Sequence, residues 1–203
     1  MGKGRLEAFS DCVISIIITI MVLEMKTPPG PGLDALSSVI PVFLSYVLSF
    51  VFVGIYWNNH HHLFQAAHRV NGRILWANLH LLFWLSLMPF VTRWMAETHF
   101  ASWPVSLYGL VLLLGGCAYF ILSRALIACH GPDSSLATAL GRDVKARTSL
   151  AFYVAAIALS FINSWIACGL YVLVAILWLV PDRRIEQVVG DPGERRSAGS
   201  THP

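Results

Sequence analysis

Residues 5–26 read RLEAFSDCVISIIITIMVLEMK, with charge at both ends and, from Val13 to Leu23, almost nothing but Ile, Val, Met and Leu. Two hydroxyls interrupt the apolar run, Ser15 and Thr19, four residues apart. At 100° per residue, Asp11, Ser15 and Thr19 form one polar stripe, and Ile16, Ile20 and Leu23 form an apolar stripe beside it. Lipid requires no polar stripe, and a soluble core requires no such unbroken apolar run. Another helix or a water path is therefore expected to face those hydroxyls.

The remainder of the chain sets the class. Of 203 residues, 56% are hydrophobic and only 12% charged, against about 25% charged in soluble domains. The mean hydropathy is +0.65. This is a polytopic membrane protein, and a net charge of +3 gives no reason to expect nucleic acid as a partner. The four cysteines, Cys12, Cys117, Cys129 and Cys168, lie in or beside apolar segments without CxxC spacing. They read as packing thiols rather than metal ligands. Glu7 and Asp11 interrupt the approach to the first apolar run, and no small-x-small site precedes Pro28-Pro29-Gly30-Pro31-Gly32. The first segment thus reads as a retained helix, not a cleaved leader. Gly2 is not an acylation site by motif, because Leu6 stands where Ser or Thr is needed.

A spanning helix needs ~20 mostly apolar residues. Residues 9–25, 36–57, 74–95 and 105–127 meet this, with a kink expected at Pro89 and a helix start at Pro104. Residues 150–180 are too long for one span, at about 46 Å, and too short for two full ones. Charge decides between the two. With a break at Asn163-Ser164, six helices place Lys3, Arg5, Arg69, Arg73, Arg124, Arg142, Lys145, Arg147, Arg183, Arg184, Arg195 and Arg196 on one side, and only Lys26 and Arg93 on the other. The positive-inside rule makes that side cytoplasmic, with both termini on it. One transmembrane domain is expected over 1–189, its last two helices a short hairpin, followed by a disordered tail over 190–203.

Candidate chemistry is sparse. His60-His61-His62 are consecutive, so on a helix they point three ways and cannot converge on one ion; no second histidine box supports a metalloenzyme. His80, one turn from Trp76 and Trp84, is an intramembrane ionisable group expected to face protein or water, and with Asp11 it would suit a proton-coupled transporter. Trp57, Trp76, Trp94, Trp103, Trp165 and Trp178 mostly fall near helix ends, as an interfacial belt does. Ser45, Ser49, Asn78 and Ser86 can join helices by hydrogen bonds. Glu24, Asp34 and Glu97 flank outer loops and read as a solvated rim. Asp11 or Ser10 can cap the first helix, or Asp11 can pair with a cation or histidine near the end of the second; the sequence leaves both open. No phosphate loop, nucleophile elbow or carboxylate pair points to an enzyme, and no cofactor is expected.

Arg5-x-x-x-Phe9-Ser10-Asp11, followed by an Ile/Thr-rich helix, resembles the first helix of the transmembrane protein 175 family of potassium-permeable channels. Trp57-x-x-His60-x-x-Leu63-Phe64 resembles the end of that family's second helix. Asn78 and Leu87-x-Pro89 are similar to its third, with Met88 where the family often has Leu. Past about residue 95 the likeness is one of topology. Animal members carry two six-helix repeats and prokaryotic members one, as here. The resemblance implies a prokaryotic plasma-membrane homotetramer in which four copies of the first helix line a central pore for potassium and other monovalent cations. It implies constrictions five, nine and twelve residues after the motif aspartate, at Ile16, Ile20 and Leu23, and a selectivity role for Thr19 eight residues after it. Arg5, Phe9, Ser10, Asp11, Trp57, His60 and Asn78 are implied to hold the pore helices rather than touch the ion. Symmetry would turn each side chain of the stripe into a ring. Apolar rings gate by dewetting and penalise an ion for shedding water, a barrier that favours potassium over sodium without a carbonyl filter.

Overall fold

The computed structural model describes residues 2–28, 30–131 and 144–179. Among these residues every regular element is helical: α1 (Lys3–Leu23), a 3-10 turn (Leu33–Ser38), α2 (Ile40–Gln65), α3 (Gly72–Ser86), α4 (Met88–Glu97), α5 (Ser102–His130), α6 (Val144–Leu159) and α7 (Ser164–Leu179). Four helical rods are long and apolar enough to cross a membrane, with α3 and α4 counted as one, and α7 is a shorter apolar helix. The protein is a multi-pass membrane protein.

The helix α1 packs on α2, α3 and α4. It buries Leu6, Ser10, Ile14, Ile17 and Met21, the three- and four-residue spacing of a single helix face. Behind this front layer α5 lies against α3, α4 and α6, and α7 closes on α6, α2 and α5. Close approach of α5 and α7 depends on Gly109, where a Cβ would overlap the Tyr171 hydroxyl. That hydroxyl donates to the Val105 carbonyl at 3.0 Å.

Pro89 does break the third rod. A proline ring clashes with the carbonyl of Leu85, four residues before it, and offers no N–H, so α3 stops at Ser86 and α4 starts at Met88. The final apolar stretch is two helices of 16 residues each, about 24 Å apiece. They are joined at 160–163, where the Asn163 side chain accepts from the Trp165 amide at 2.9 Å.

Three expectations need correction. The helix α1 begins at Lys3 with Gly2 as its N-cap and no side-chain cap, so Ser10 and Asp11 lie two turns inside it and cap nothing. The second helix starts at Ile40, not at residue 36, which lies in the 3-10 turn. It continues to Gln65, because its polar residues find partners, as in the Asn59 amide donating back to the Ile55 carbonyl at 2.8 Å. Ser45 and Ser86 do not join helices, since each hydroxyl bonds back to its own helix, at Pro41 and Phe83. Ser49 does, bonding Thr92 at 2.7 Å and Tyr108 at 3.1 Å.

The ends of the rods alternate. The α2–α3 connection meets the end of α5, where the His68 and Arg69 amides both donate to the His130 Nε2. At the other end Lys26, Arg93, Glu24 and Glu97 meet. The tail over 190–203, with Arg195 and Arg196, lies outside the described residues, as do Arg142, Arg183 and Arg184.

Candidate functional site: the bare face of the first helix

Opposite its buried stripe, α1 carries side chains that no part of the subunit covers. Ile16 is 57% exposed, Ile20 41% and Leu23 75%, with Phe9 at 46%. Cys12 is exposed on the same face, one turn before Ile16. That corrects its reading as a packing thiol, which holds only for the half-buried Cys117, Cys129 and Cys168. The cause is register: residues 9, 12, 16, 20 and 23 share one side of a helix whose residues 6, 10, 14, 17 and 21 fill the other.

The polar stripe runs beside this face. The Ser15 hydroxyl donates to the Asp11 carbonyl at 2.7 Å, and the Thr19 hydroxyl to the Ser15 carbonyl at 2.9 Å. Both protons are spent on the backbone, which leaves each oxygen with free lone pairs directed away from the helix. Such a hydroxyl can accept from water or ligate a cation, but cannot donate.

Beneath the bare face, two hydrogen-bonded systems tie α1 to its neighbours. The Asp11 carboxylate accepts from the Trp57 indole of α2 at 3.0 Å. That partner is neither of the two foreseen, since it is an uncharged donor. The Trp57 ring in turn stacks on His61, at 5.9 Å between centroids. The second system is buried. His60 of α2 donates through Nε2 to the Asn78 carbonyl oxygen at 2.8 Å, Asn78 of α3 donates to the Ser10 hydroxyl at 2.9 Å, and Ser10 donates to the Leu6 carbonyl at 2.9 Å. Ser10 and Asn78 are fully buried and His60 nearly so. Because an amide oxygen can only accept, the chain fixes the proton of neutral His60 on Nε2. Three helices thus meet in one chain with a single direction of donation. Among the described residues Arg5 is exposed, and its guanidinium has no hydrogen-bond or ion-pair partner.

The remaining candidates do not converge. His80 accepts from the Trp84 indole at 2.9 Å and lines a groove between α3 and α5, whereas Asp11 bonds to α2, so no shared hydrogen bond links the pair a proton-coupled transporter would use. His60, His61 and His62 point apart, His60 to Asn78 and His61 to Gln65 at 2.9 Å. Among the described residues no three His, Cys, Asp or Glu side chains come together as metal ligands.

At the far end of α1 the partly exposed rim carries an ion-pair network. Lys26 meets Glu97 at 2.9 Å, and Arg93 meets Glu97 at 3.2 Å and Glu24 at 3.9 Å. It fastens the chain after α1 to α4. The i, i+4 spacing of Arg93 and Glu97 was the one legible part of it.

Residues 5–89 match the family model described as endosomal/lysosomal potassium channel TMEM175. A potassium channel of Chryseobacterium sp. (strain P1-3) is 56% identical over 187 residues, covering 92% of this chain and 97% of that one. The human endosomal/lysosomal proton channel TMEM175 is 38% identical over 76 residues, 32% of this chain and 15% of that one. A crystal structure of a lysosomal potassium-selective channel TMEM175 homolog from Chamaesiphon minutus superposes with a TM-score of 0.76 at 29% identity, covering 88% of this chain and 96% of that one.

Proposed function

The chain belongs to the TMEM175 family of ion channels, and on that premise we propose that it is a passive potassium-permeable channel of a prokaryotic plasma membrane, assembled as a homotetramer around four copies of α1. The observation that carries this reading is the bare face of α1. A helix with one face buried on α2, α3 and α4 and the other carrying Ile16, Ile20 and Leu23 beside acceptor-only Ser15 and Thr19 suits a wet, narrow, symmetric axis. In hydrocarbon those spare lone pairs would have no donor or cation to meet.

In this assembly Ile16, Ile20 and Leu23 form successive apolar rings. Each ring is too narrow and too dry for a hydrated ion to pass without losing water. Potassium loses water at less cost than sodium, so the rings favour it. The Thr19 ring, with its protons turned inward to the backbone, replaces part of the lost shell with oxygen lone pairs. Asp11–Trp57 and the His60–Asn78–Ser10 chain hold α1 at a fixed angle so that the rings keep their diameter, and Arg5 stands at the cytoplasmic entrance below them. Both termini are cytoplasmic, the side that collects Lys3, Arg5, Arg69, Arg73, Arg124, Lys145 and Arg147. No cofactor takes part.

The test is flux in liposomes holding the purified full chain, with potassium and proton movements recorded together. Potassium moving down its gradient, with a rate set by voltage and no obligatory proton exchange, is the expected result. Potassium movement that stops when proton exchange is blocked would sink the reading.

A further inference from the structure

Arg73, Trp76 and His80, on the face of α3 turned roughly away from Asn78 and α1, line with Ala77 an open groove of about 950 Å³ against Ile121 and Ala125 of α5. Its polar groups are graded by depth. Arg73 is exposed in the first turn of α3, Trp76 is 75% exposed one turn further in, and His80 is exposed a turn beyond that. At 1.5 Å per residue, Arg73 and His80 are separated by about 10 Å along the helix. The headgroup and interfacial layer of a leaflet is ~5–7 Å deep, so with Arg73 at the phosphates His80 lies near the acyl-chain boundary.

The second observation concerns His80 itself. Its Nε2 accepts from the Trp84 indole at 2.9 Å, and an indole N–H can only donate, so the neutral ring carries its proton on Nδ1. Among the described residues that Nδ1–H has no acceptor. An N–H at this depth and without water needs an acceptor supplied from outside the subunit. No carboxylate among the described residues lines the groove, so Arg73 has no counter-charge among them.

We propose that this groove holds one anionic glycerophospholipid of the leaflet that meets the α2–α3 connection. Its phosphate pairs with Arg73, its headgroup edge packs on Trp76, an ester carbonyl accepts from His80 Nδ1–H, and an acyl chain lies along Ile121 and Ala125. The charge favours an anionic lipid over a zwitterionic one, whose own ammonium competes with Arg73 for the phosphate. The hydrogen bond that His80 donates to the ester carbonyl is common to both.

That division of labour is testable by native mass spectrometry of the full chain released from detergent with added phosphatidylglycerol, phosphatidylcholine or glycerol 3-phosphate. The wild type should retain phosphatidylglycerol about five-fold better than phosphatidylcholine, as expected for one basic side chain. Arg73→Gln should erase that preference and Arg73→Lys should keep it. His80→Phe should lower retention of both lipids equally. Ala125→Trp, which fills the groove and leaves Arg73 in place, should abolish retention whatever the headgroup, and so carries the test if Arg73→Gln does not fold. An unchanged preference in Arg73→Gln overturns the proposal. So does competition by glycerol 3-phosphate, which would mark a soluble anion site, or retention identical in the wild type and Ala125→Trp, which would mean that another subunit covers the groove.

Discussion

Asn78 of α3 donates to the Ser10 hydroxyl of α1 at 2.9 Å, and nothing else so deeply buried joins those two helices by a polar bond among the described residues. Because Asn78 also accepts from His60, a single amide sets the position of α1 against two neighbours. Replacing it with Leu strands the His60 Nε2–H in an apolar interface. The expected cost is about 1–2 kcal/mol, read as a lower melting temperature of the purified assembly. A melting temperature equal to that of the wild type would show that the chain contributes no stability.

The Asp11–Trp57 bond is exposed, not buried, so its contribution is to position rather than to stability. Trp57→Phe keeps the ring and removes the donor. Melting should change by less than about 1 kcal/mol equivalent, while potassium flux falls several-fold. Asp11→Leu should match it in both readouts, and the double variant should lose no more than either single one.

Ile16→Asn places an amide in the proposed constriction. Wetting that ring should raise the potassium leak and admit more sodium, measured as paired ion fluxes in liposomes. Ile20→Asn should act in the same direction. Conductance and selectivity equal to the wild type in both variants would remove these residues from the pore.

Cys12 supplies a probe that needs no mutation. It is exposed on the face that carries Ile16, whereas Cys117, Cys129 and Cys168 are half-buried in the bundle. A water-soluble thiol reagent should slow potassium flux through the wild type. Cys12→Ser should conduct normally and be indifferent to the reagent. Block that persists in Cys12→Ser would place the reactive thiol elsewhere.

Behind the site, Gly109 tests the packing of α5 on α7. Gly109→Ala drives a methyl into the Tyr171 hydroxyl, and overpacking of this kind costs about 1–3 kcal/mol. The drop in melting temperature should be partly restored by Tyr171→Phe in the same chain, because the group struck first is removed.

Much of this was legible from residue order alone, for a physical reason. In hydrocarbon a backbone must satisfy its own polar groups, which an apolar run does as a helix, so composition, the length of each apolar run and the placement of basic residues yield the rods and their alternation with no knowledge of contacts. The kink at Pro89 and the break at Asn163 were legible too, because each follows from local backbone chemistry. The side-chain partners were not. Asp11 offered a cap, a cation or a histidine, and its observed partner is the Trp57 indole, 46 positions along the chain. Ser45, Ser49 and Ser86 are alike in sequence, yet only Ser49 bonds across helices, because only its hydroxyl faces another polar group.

For residues 5–26, the sequence by itself determined that a polar and an apolar stripe share one membrane helix. That follows from the 100° step between residues and needs no neighbour. Which stripe remains uncovered was a tertiary decision. It depends on how far α1 is rotated about its axis when Ser10 meets Asn78 and Asp11 meets Trp57, and that rotation is fixed by donors and acceptors on α2 and α3. With Leu6, Ser10, Ile14, Ile17 and Met21 turned inward, Ile16, Ile20 and Leu23 are left bare, with Thr19 at their edge.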